Sequence, residues 1–306
     1  MAHTKLDIII PIKNRSTVLR CVSTLFAQVA RCEEICLGQI LLCDGGSQSA
    51  DCQSQLQQVA QLPQVKILAC PHAGFNKGWL MNQGLAAATA PLILISDIDI
   101  LWDETVLSRM GIVAANHPEC LCSVESVQES EPGSVAPQRP RYTYCLEQTP
   151  TGSAVKVYFA PPLATLHRPG CGLLCGQRSL FQQVGGYRHC FQGWGWEDQD
   201  LLIRAQLLGA RIAELGTVIH LSHGDDQRNL GNRQYTPVQS RDHNILRSLQ
   251  RIAQGRLLGD LSQFDPEAFE RGSQPSRCAI SVHYPSTLAH ATHPNYALPE
   301  SPTSSH

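Results

Sequence analysis

Two aspartates close together at the end of an apolar run could hold a metal ion. Asp97-Ile98-Asp99 follows Leu92–Ser96, and in an extended chain both carboxylates lie on one side while Ile98 faces inward. Carboxylates at this spacing can bind Mg²⁺ or Mn²⁺ together with phosphate oxygens. We therefore predict that Asp97 and Asp99 ligate a divalent cation. The alternative is a pair of solvated aspartates at a strand end.

A second run combines aromatic rings with carboxylates. In Gly193-Trp194-Gly195-Trp196-Glu197-Asp198 the two tryptophans offer flat apolar faces suited to stacking on a sugar ring. The two acids open a predicted helix, where capping alone would explain one of them. A carboxylate beside an aromatic surface can accept a proton from a sugar hydroxyl. Trp194, Trp196 and Glu197 are thus candidates for binding an acceptor, and Glu197 and Asp198 for catalysis.

The third group is a pair of histidines in His220-Leu221-Ser222-His223, which follows the apolar stretch Thr217–Ile219. On an extended chain the two imidazoles would point to opposite faces. We prefer His223 as the metal ligand because it lies at the end of the strand, where the cation is expected. His220 is the alternative.

The rest of the chain must hold these groups in position. Its apolar pattern predicts alternating strands and helices. Strands are expected at Leu6–Ile10, Gln39–Cys43, Val65–Ala69 and Leu92–Ser96. A helix is expected after each of the first three, the first capped by Ser16. This alternation predicts an α/β fold with a mostly parallel central sheet flanked by helices.

In an open parallel sheet the ligand lies beyond the carboxyl ends of the strands. Lys13-Asn14-Arg15, Asp44-Gly45-Gly46-Ser47 and Asp97-Ile98-Asp99 all come at or just after predicted strand ends. We expect these three clusters to meet at one edge of the sheet.

The remaining chain gives weaker signals. Residues from about Ser126 to Gly152 are rich in Ser, Pro, Gln and Glu, which predicts a loop or mobile insertion. A strand is expected at Val155–Phe159 and a helix at Glu197–Leu208. We predict one domain over residues 1–250, followed by a flexible tail over 251–306.

Composition excludes several classes of protein. With 24 basic and 26 acidic residues, the chain has no excess positive charge for binding nucleic acid or an anionic membrane. Its longest apolar run, Leu6–Ile12, is far shorter than the roughly 20 residues that span a bilayer. The 13 cysteines are odd in number and several lie in apolar segments, which favours reduced thiols. We therefore predict a cytoplasmic chain, free or peripheral to a membrane, with no integral membrane segment.

The motifs together resemble those of glycosyltransferases of the GT-A fold, closest in pattern to family 2 and to the related galactosyltransferase catalytic modules. The matching stretches occur in the family's order over roughly residues 6–225. They are Pro11–Arg15, Asp44–Ser47, Gly74–Asn82, Asp97–Asp99, Gly193–Asp198 and His223.

The resemblance implies a role for each matched position. The turn with Pro11, Lys13, Asn14 and Arg15 would line the nucleotide pocket, and Asp44 would hydrogen-bond the uracil. The remaining donor-site and metal-site residues implied in this way are Asn76 and Lys77 near the ribose and diphosphate, Asp97 near the ribose or metal, and Asp99 and His223 on Mn²⁺ or Mg²⁺. Asp198 would be the catalytic base, with Glu197 and Trp194 orienting the acceptor. The resemblance also implies that the domain has a nucleotide-binding half over about 1–110 and an acceptor-binding half over about 111–250.

The implied activity is metal-dependent, inverting transfer of a sugar from a UDP-sugar to a hydroxyl of a glycan or other acceptor, as in polysaccharide biosynthesis. Two other activities of the same scaffold remain open, namely retaining transfer, for example to protein Ser or Thr, and binding of nucleotide sugars or glycans without catalysis. A nucleotidyltransferase also binds phosphates through paired aspartates, but the tryptophan-rich run fits it less well.

Overall fold

The computed structural model describes residues 3–72, 74–131, 141–150, 152–160, 167–191, 193–223, 235–261 and 279–289. The strands are β1 (Thr4–Ile12), β2 (Ile35–Asp44), β3 (Val65–Ala69), β4 (Leu92–Ile95), β5 (Ile100–Leu101), β6 (Cys120–Glu129), β7 (Arg141–Thr149), β8 (Gly152–Ala160), β9 (His167–Gln177), β10 (Arg211–Glu214), β11 (Thr217–His220) and β12 (Ala279–His283). The helices are α1 (Val18–Val29), α2 (Ala50–Val59), α3 (Lys77–Ala87), α4 (Glu104–Asn116), α5 (Arg178–Gln183), α6 (Glu197–Leu207), α7 (Pro237–Ala253) and α8 (Ser286–Ala289).

The central sheet has the strand order β3-β2-β1-β4-β9-β6-β11-β5, and β10 also pairs with β6. The first four strands are mutually parallel, as the alternating sequence pattern predicts, whereas β9 runs antiparallel to β4 and β6. Ile8 and Ile10 of β1 enter an apolar cluster with α1, α2 and α4. Ile9 enters a second cluster with α3, α5 and α6, so the sheet is covered by helices on both faces.

A smaller sheet of order β12-β8-β7 packs beside the central one. Val155 and Val157 of β8 share an apolar cluster with Trp196 and with Ile245 and Leu249 of α7. The predicted loop over 126–152 is therefore wrong where β6 and β7 occupy it, and residues 132–140 and 151 of it lie outside the described residues. Polar residues obscured an alternation in which Tyr142, Tyr144 and Leu146 of β7 pack inward.

The C-terminal part is more ordered than the predicted tail where the structure describes it. Helix α7 begins with a capping box between Thr236 and Gln239 and extends to Ala253. The backbone amides of Gly259 and Leu261 donate to carbonyls at the end of α5, and β12 pairs with β8. The short helix α8 follows β12, and residues 262–278 and 290–306 of the predicted tail lie outside the described residues.

Helix α1 begins one residue later than predicted, with Thr17 rather than Ser16 at its N-cap. The Thr17 hydroxyl does not cap the helix and instead donates to the carbonyl of Ile98, at 2.7 Å. The start of α1 is thus tied to the turn that carries Asp97 and Asp99.

The described cysteines are all free thiols, and Cys21, Cys43, Cys70 and Cys175 are buried as predicted. Across the described ranges, no helix combines the length and the apolarity that crossing a bilayer requires.

A buried ionic network fixes α6 to the rest of the domain. Asp200 accepts hydrogen bonds from Arg188 at 2.8 Å, from Arg204 at 2.7 Å and from the Ser248 hydroxyl at 2.7 Å, and the three charged side chains are fully buried. Arg204 also donates to the carbonyls of Val184 and Gly186. The network sets the position of the helix whose first turn carries Glu197 and Asp198.

We predict that Asp200→Asn lowers the free energy of unfolding by about 3 to 5 kcal/mol, because it leaves buried guanidinium charge uncompensated. Urea unfolding of the purified protein measures this change. The exposed Asp51→Asn in α2 is the matched control and should cost less than about 1 kcal/mol. A loss at Asp200 no larger than that of the control would contradict the structural role given to the network.

Candidate active site

Asp97, Ile98 and Asp99 form the turn between β4 and β5, at the carboxyl end of the parallel strands. Ile98 is buried in the core, as the spacing predicts, and its carbonyl is held by Thr17. Both carboxylates line the same cavity. The turn therefore presents its acids at the edge of the sheet where ligands bind in open α/β folds.

Strand pairing brings both histidines to Asp99. In the β5–β11 pair Ile100 lies opposite His220, and the amide of Leu221 donates to the carbonyl of Asp99 at 2.7 Å. Nε2 of His223 lies 3.2 Å from Oδ2 of Asp99, and Nε2 of His220 lies 3.5 Å from Oδ1. The chain leaves β11 after His220, so the opposite faces expected of an extended segment do not apply.

The donor atoms of Asp99, His220 and His223 fit a divalent cation. One ligand atom from each residue lies within 4.8 Å of the others. Oδ1 of Asp99 is buried and, among the described residues, has no hydrogen-bond partner, since 3.5 Å to His220 is too long. Although burial alone would raise the pKa of Asp99, the two imidazoles hold it well below its usual range. A carboxylate with two imidazoles is a donor set used for transition metals.

Outer residues orient the cluster. Nδ1 of His220 lies 2.7 Å from Oε2 of Glu129, which leaves Nε2 directed at Asp99. Glu129 in turn accepts from Nε of Arg168 at 3.2 Å and from the Ser222 hydroxyl at 2.9 Å. Against the effect of burial, His220 and Arg168 lower the pKa of Glu129 to about 2. A carboxylate behind a ligating imidazole fixes the ring and its tautomer.

Lys77 joins the aspartate turn to the start of α6. Its Nζ lies 3.1 Å from Oδ1 of Asp97 and 3.0 Å from Oδ2 of Asp198. The Tyr187 hydroxyl donates to the other oxygen of Asp198 at 3.3 Å. Burial raises the pKa of Asp198, and Lys77 opposes that effect. Burial would lower the pKa of Lys77, but Asp198 and Asp97 hold it well above its usual value.

The glycine–tryptophan run has a left-handed backbone. Gly193 and Gly195 have φ of 67° and 98°, conformations that glycine adopts without steric cost, and Trp196 follows at 77°. Trp196 is buried in the cluster formed by β8 and α7, so it serves as a core residue at the cavity wall. Trp194 is half-buried and also lines the cavity.

Glu197 follows the run and is almost fully buried. Burial, with repulsion from Asp198, raises the pKa of Glu197 from 4.5 to about 7. The first turn of α6 therefore holds two adjacent carboxyl groups whose affinity for protons is enhanced, as expected for acid–base chemistry.

A single cavity of about 850 Å³ connects these groups. Its wall includes the acids, histidines, tryptophans and lysine of the groups described above, namely Asp97, Asp99, His220, His223, Lys77, Trp194, Trp196, Glu197 and Asp198. Residues widely separated in the sequence thus face a common space large enough for a ligand with several rings.

The residues assigned to the donor by resemblance fall into two groups. Pro11, Lys13 and Arg15 line the main cavity, with Arg15 3.9 Å from Asp99. A neighbouring cavity of about 340 Å³ lies beside Lys13 and Asn14 and is also lined by Gly45, Gly46, Gln48, Pro71 and His72. Lys13 is common to both.

Three other donor-site candidates are engaged in local structure. Asn14 accepts hydrogen bonds from the amides of Gln48 and Ser49, and Asp44 accepts from the amide and hydroxyl of Ser47. Asn76 caps α3 through the amide of Trp79. These contacts shape the loops around the cavities, and direct contact of Asn14, Asp44 and Asn76 with a donor stays a prediction.

Several residues of the site were not predicted from the sequence. The Tyr187 hydroxyl donates a hydrogen bond to Asp198. Gly172 lies so close to Asp198 that a Cβ added to this glycine would be 2.5 Å from Oδ2 of the aspartate. Arg141, Tyr142 and Tyr144 form part of the cavity wall from β7. No local motif marks them, because they meet the acids only through pairing of distant strands.

Comparison with protein families gives this geometry a context. The family model of glycosyl transferase family 2 matches residues 7–173, more than half of the chain. The chain belongs to glycosyl transferase family 2. A second model, described as the N-terminal domain of galactosyltransferase, matches residues 157–224, which include the glycine–tryptophan run and both histidines. A search of curated proteins returns no match.

Solved structures agree on the fold. GalNAc-T7 with UDP, GalNAc and Mn²⁺ aligns with a TM-score of 0.58 at 15% identity, over 81% of this chain and 48% of that chain. The mannosyltransferase PcManGT from Pyrobaculum calidifontis, with GDP-Man and Mn²⁺, gives 0.51 at 15% identity, over 83% and 65%. TarS from S. aureus gives 0.50 at 16% identity, over 85% and 67%. This family 2 chain thus has the predicted GT-A fold and spans about half the length of the GalNAc-T7 chain.

We predict that His220→Ala and His223→Ala each weaken Mn²⁺ binding at least about tenfold, because each removes an imidazole directed at Asp99. Titration of Mn²⁺ followed by its paramagnetic resonance signal measures the affinity. His117→Ala on the exposed end of α4 is the control and should bind as the wild type does. Unchanged affinity in either site variant would exclude that histidine from the ligand set.

Glu197 makes stability depend on pH. Because its pKa rises from 4.5 to about 7 on folding, the folded protein binds more protons in that window, and the free energy of unfolding falls as pH rises through it. We predict that Glu197→Gln removes roughly 2 to 3 kcal/mol of this fall between pH 5 and pH 8. Urea unfolding of both proteins at several pH values tests the difference, and parallel pH profiles would contradict it.

Proposed function

We propose that this family 2 protein is a metal-dependent inverting glycosyltransferase that moves a sugar from a UDP-sugar to a hydroxyl of a glycan or other acceptor. Asp198 acts as the base. The proposal is carried by one observation, the shared cavity that a metal-type cluster and a buried pair of carboxyl groups both line. Sugar transfer from a nucleotide needs charge neutralisation at the leaving diphosphate and a base at the attacking hydroxyl.

The donor would lie between the two cavities. The smaller one suits a flat base, and Lys13, Arg15 and Lys77 bring positive charge toward the diphosphate. The cation would be held by Asp99, His220 and His223. Asp97 lies in the same turn as Asp99 and forms an ion pair with Lys77. When bound, Mn²⁺ or Mg²⁺ would act as a Lewis acid that neutralises the charge developing on the leaving diphosphate.

The acceptor would approach from the α6 side. Asp198 forms an ion pair with Lys77 at 3.0 Å, and burial raises its pKa, which makes its carboxylate a stronger base toward a sugar hydroxyl. Trp194 and Glu197, which both line the cavity, would orient the acceptor. Attack from the face opposite the nucleotide inverts the anomeric carbon.

The ligands of the structural relatives support part of this proposal. GalNAc-T7 holds UDP and Mn²⁺, and PcManGT holds GDP-Man and Mn²⁺. Because both structures contain Mn²⁺, they support Mn²⁺ as the metal of the proposed reaction. Their nucleotides differ, so the proposal of a UDP-sugar depends on the motif resemblance and on GalNAc-T7. We also propose the division into a donor half over about 1–110 and an acceptor half over about 111–250. The cytoplasmic location, free or peripheral to a membrane, stays a prediction.

We predict that Asp198→Asn lowers kcat for sugar transfer by about 10² to 10⁴, because the amide cannot accept the hydroxyl proton. UDP release in the presence of Mn²⁺ is measured against a panel of UDP-sugars and acceptors. Titration with UDP reports whether the donor end of the variant is intact, and Asp51→Asn is the surface control.

Full turnover by Asp198→Asn would contradict the inverting assignment and favour retaining transfer. Binding of UDP by the wild type without transfer to any acceptor in the panel would favour a non-catalytic binding protein instead.

A further inference from the structure

Tyr187 lies between α5 and the glycine–tryptophan run, and its side chain is fully buried. The ring packs in the apolar cluster of α3, α5 and α6, and the hydroxyl donates a hydrogen bond to Oδ1 of Asp198 at 3.3 Å. A buried tyrosine hydroxyl normally has such a partner. Because Asp198 also lines the main cavity, the hydroxyl reaches this carboxylate from the interior of the protein.

The two oxygens of Asp198 contact different donors. Nζ of Lys77 lies 3.0 Å from Oδ2, whereas the Tyr187 hydroxyl bonds to Oδ1. The backbone of β9 closes a third side, since a Cβ added to Gly172 would lie 2.5 Å from Oδ2 of Asp198 and 3.2 Å from Nζ of Lys77. These contacts together restrict the orientation of the carboxylate.

Asn82 fixes the backbone of Tyr187. The side chain of Asn82 is buried on α3, where its Oδ1 accepts from the amide of Tyr187 at 2.8 Å and its Nδ2 donates to the carbonyl of Tyr187 at 2.8 Å. Gly186 permits this close approach, because a Cβ at that position would collide with Oδ1 of Asn82. The amide of Asp260 donates to the same carbonyl of Tyr187 at 2.9 Å.

Helix α3 therefore contributes twice to the position of Asp198. Lys77, the first residue of α3, contacts the carboxylate directly, and Asn82 on the same helix holds Tyr187. Both residues belong to the stretch Gly74–Asn82 that resembles the family, in which the resemblance gave Asn82 no role. The structure connects Asn82 to the first turn of α6 through the hydroxyl of Tyr187.

We propose that Tyr187 is a positioning residue for sugar transfer, whose hydroxyl, held in place by Asn82, keeps the carboxylate of Asp198 directed at the acceptor hydroxyl. The inference rests on the proposed function for the role of Asp198 as the base. Because Tyr187 is fully buried, it acts through Asp198 rather than on a substrate. Its hydrogen bond of 3.3 Å is long, and hydrogen bonds of this kind commonly tighten when substrate binds.

Tyr187 remains a donor during the reaction. Burial and the neighbouring carboxylate of Asp198 hold the pKa of Tyr187 well above its usual value. The phenol therefore keeps its proton, and the proton of the acceptor hydroxyl passes to Asp198.

The first experiment is a double-mutant cycle on kcat for sugar transfer with Mn²⁺, using Tyr187→Phe, Asp198→Asn and the double variant. Tyr187→Phe keeps the ring and removes only the hydroxyl. We expect it to lower kcat about tenfold to a hundredfold, because the base loses its orientation, while the acceptor KM and the affinity for UDP change less than about threefold. In the Asp198→Asn background the same change should lower kcat less than about twofold, because the group that Tyr187 orients is already lost.

The second experiment detects the hydrogen bond without catalysis. Protein labelled with ¹³C at the aspartate carboxyl groups is titrated by NMR, and the signal of Asp198 is assigned by its loss in Asp198→Asn. Burial raises the pKa of Asp198, whereas Lys77 and the hydrogen bond from Tyr187 oppose that rise. Tyr187→Phe should therefore move the titration midpoint of Asp198 to higher pH by at least about half a unit. The other ionisable groups that act on Asp198 are unchanged by this substitution, namely Lys77, Asp97, Glu197 and Cys171.

Tyr158→Phe on β8 is the matched control, since this tyrosine is 46% exposed. It should leave kcat, KM and the midpoint of Asp198 as they are in the wild type. Urea unfolding verifies that each variant is folded. An equal loss of kcat from Tyr187→Phe in the wild-type and Asp198→Asn backgrounds would overturn the proposal, because a purely structural role acts in both. An unchanged midpoint of Asp198 in Tyr187→Phe would overturn it as well.

These outcomes are distinguishable from failure of the proposed function. Full turnover by Asp198→Asn, or no transfer by the wild type, would remove Asp198 as the base and with it the role of Tyr187 in transfer. The NMR titration would still decide whether Tyr187 binds the carboxylate of Asp198. A normal loss of activity in Asp198→Asn, combined with an additive effect of Tyr187→Phe, would instead remove the role of Tyr187 alone.

Discussion

The approach of two imidazoles to one buried carboxylate is the constraint on which the site depends. Asp99 lies in a turn after a parallel strand, whereas His220 and His223 end a strand far along the chain, and only the β5–β11 pairing brings them together. Oδ1 of Asp99 is buried and has no hydrogen-bond partner in the described part of the chain, and such a carboxylate is costly unless a positive group meets it. The central sheet therefore holds a cluster whose chemistry is completed by a cation, and Glu129 behind His220 fixes the direction of the ring.

Lys77 links the aspartate turn to the first turn of α6. Its ammonium group contacts both Asp97 and Asp198, so one cation bridges the two acids. The start of α6 is held in place by the buried ionic network of Asp200 and by the packing of Trp196 in the apolar cluster of β8 and α7. Asp198, which we propose as the base, is thus supported by three kinds of interaction, namely an ion pair, a buried salt-bridge network and apolar packing. Such rigid support is what positions a reacting group within the tolerance that catalysis requires.

Much of this arrangement follows from local sequence pattern. The four parallel strands, the turn at Asp97–Asp99 and the acids at the start of α6 are visible as apolar periodicity followed by polar residues. The strand β7 was missed because its inward residues, Tyr142, Tyr144 and Leu146, are separated by polar ones in a segment that resembles a loop. The sequence pattern favoured His223 over His220, whereas the structure brings both imidazoles to Asp99, because the chain leaves β11 immediately after His220. Pairing between distant strands decides both cases, and neither short spacing nor composition encodes it.

The most direct test of the account is electron–nuclear resonance of Mn²⁺ bound to the protein together with UDP. The account predicts that a single ion shows nitrogen couplings from two imidazoles, lost one at a time in His220→Ala and His223→Ala, and a phosphorus coupling from the diphosphate of UDP. An ion that couples to phosphorus without nitrogen, or to nitrogen without phosphorus, would contradict the claim that one cation joins this cluster to the leaving group.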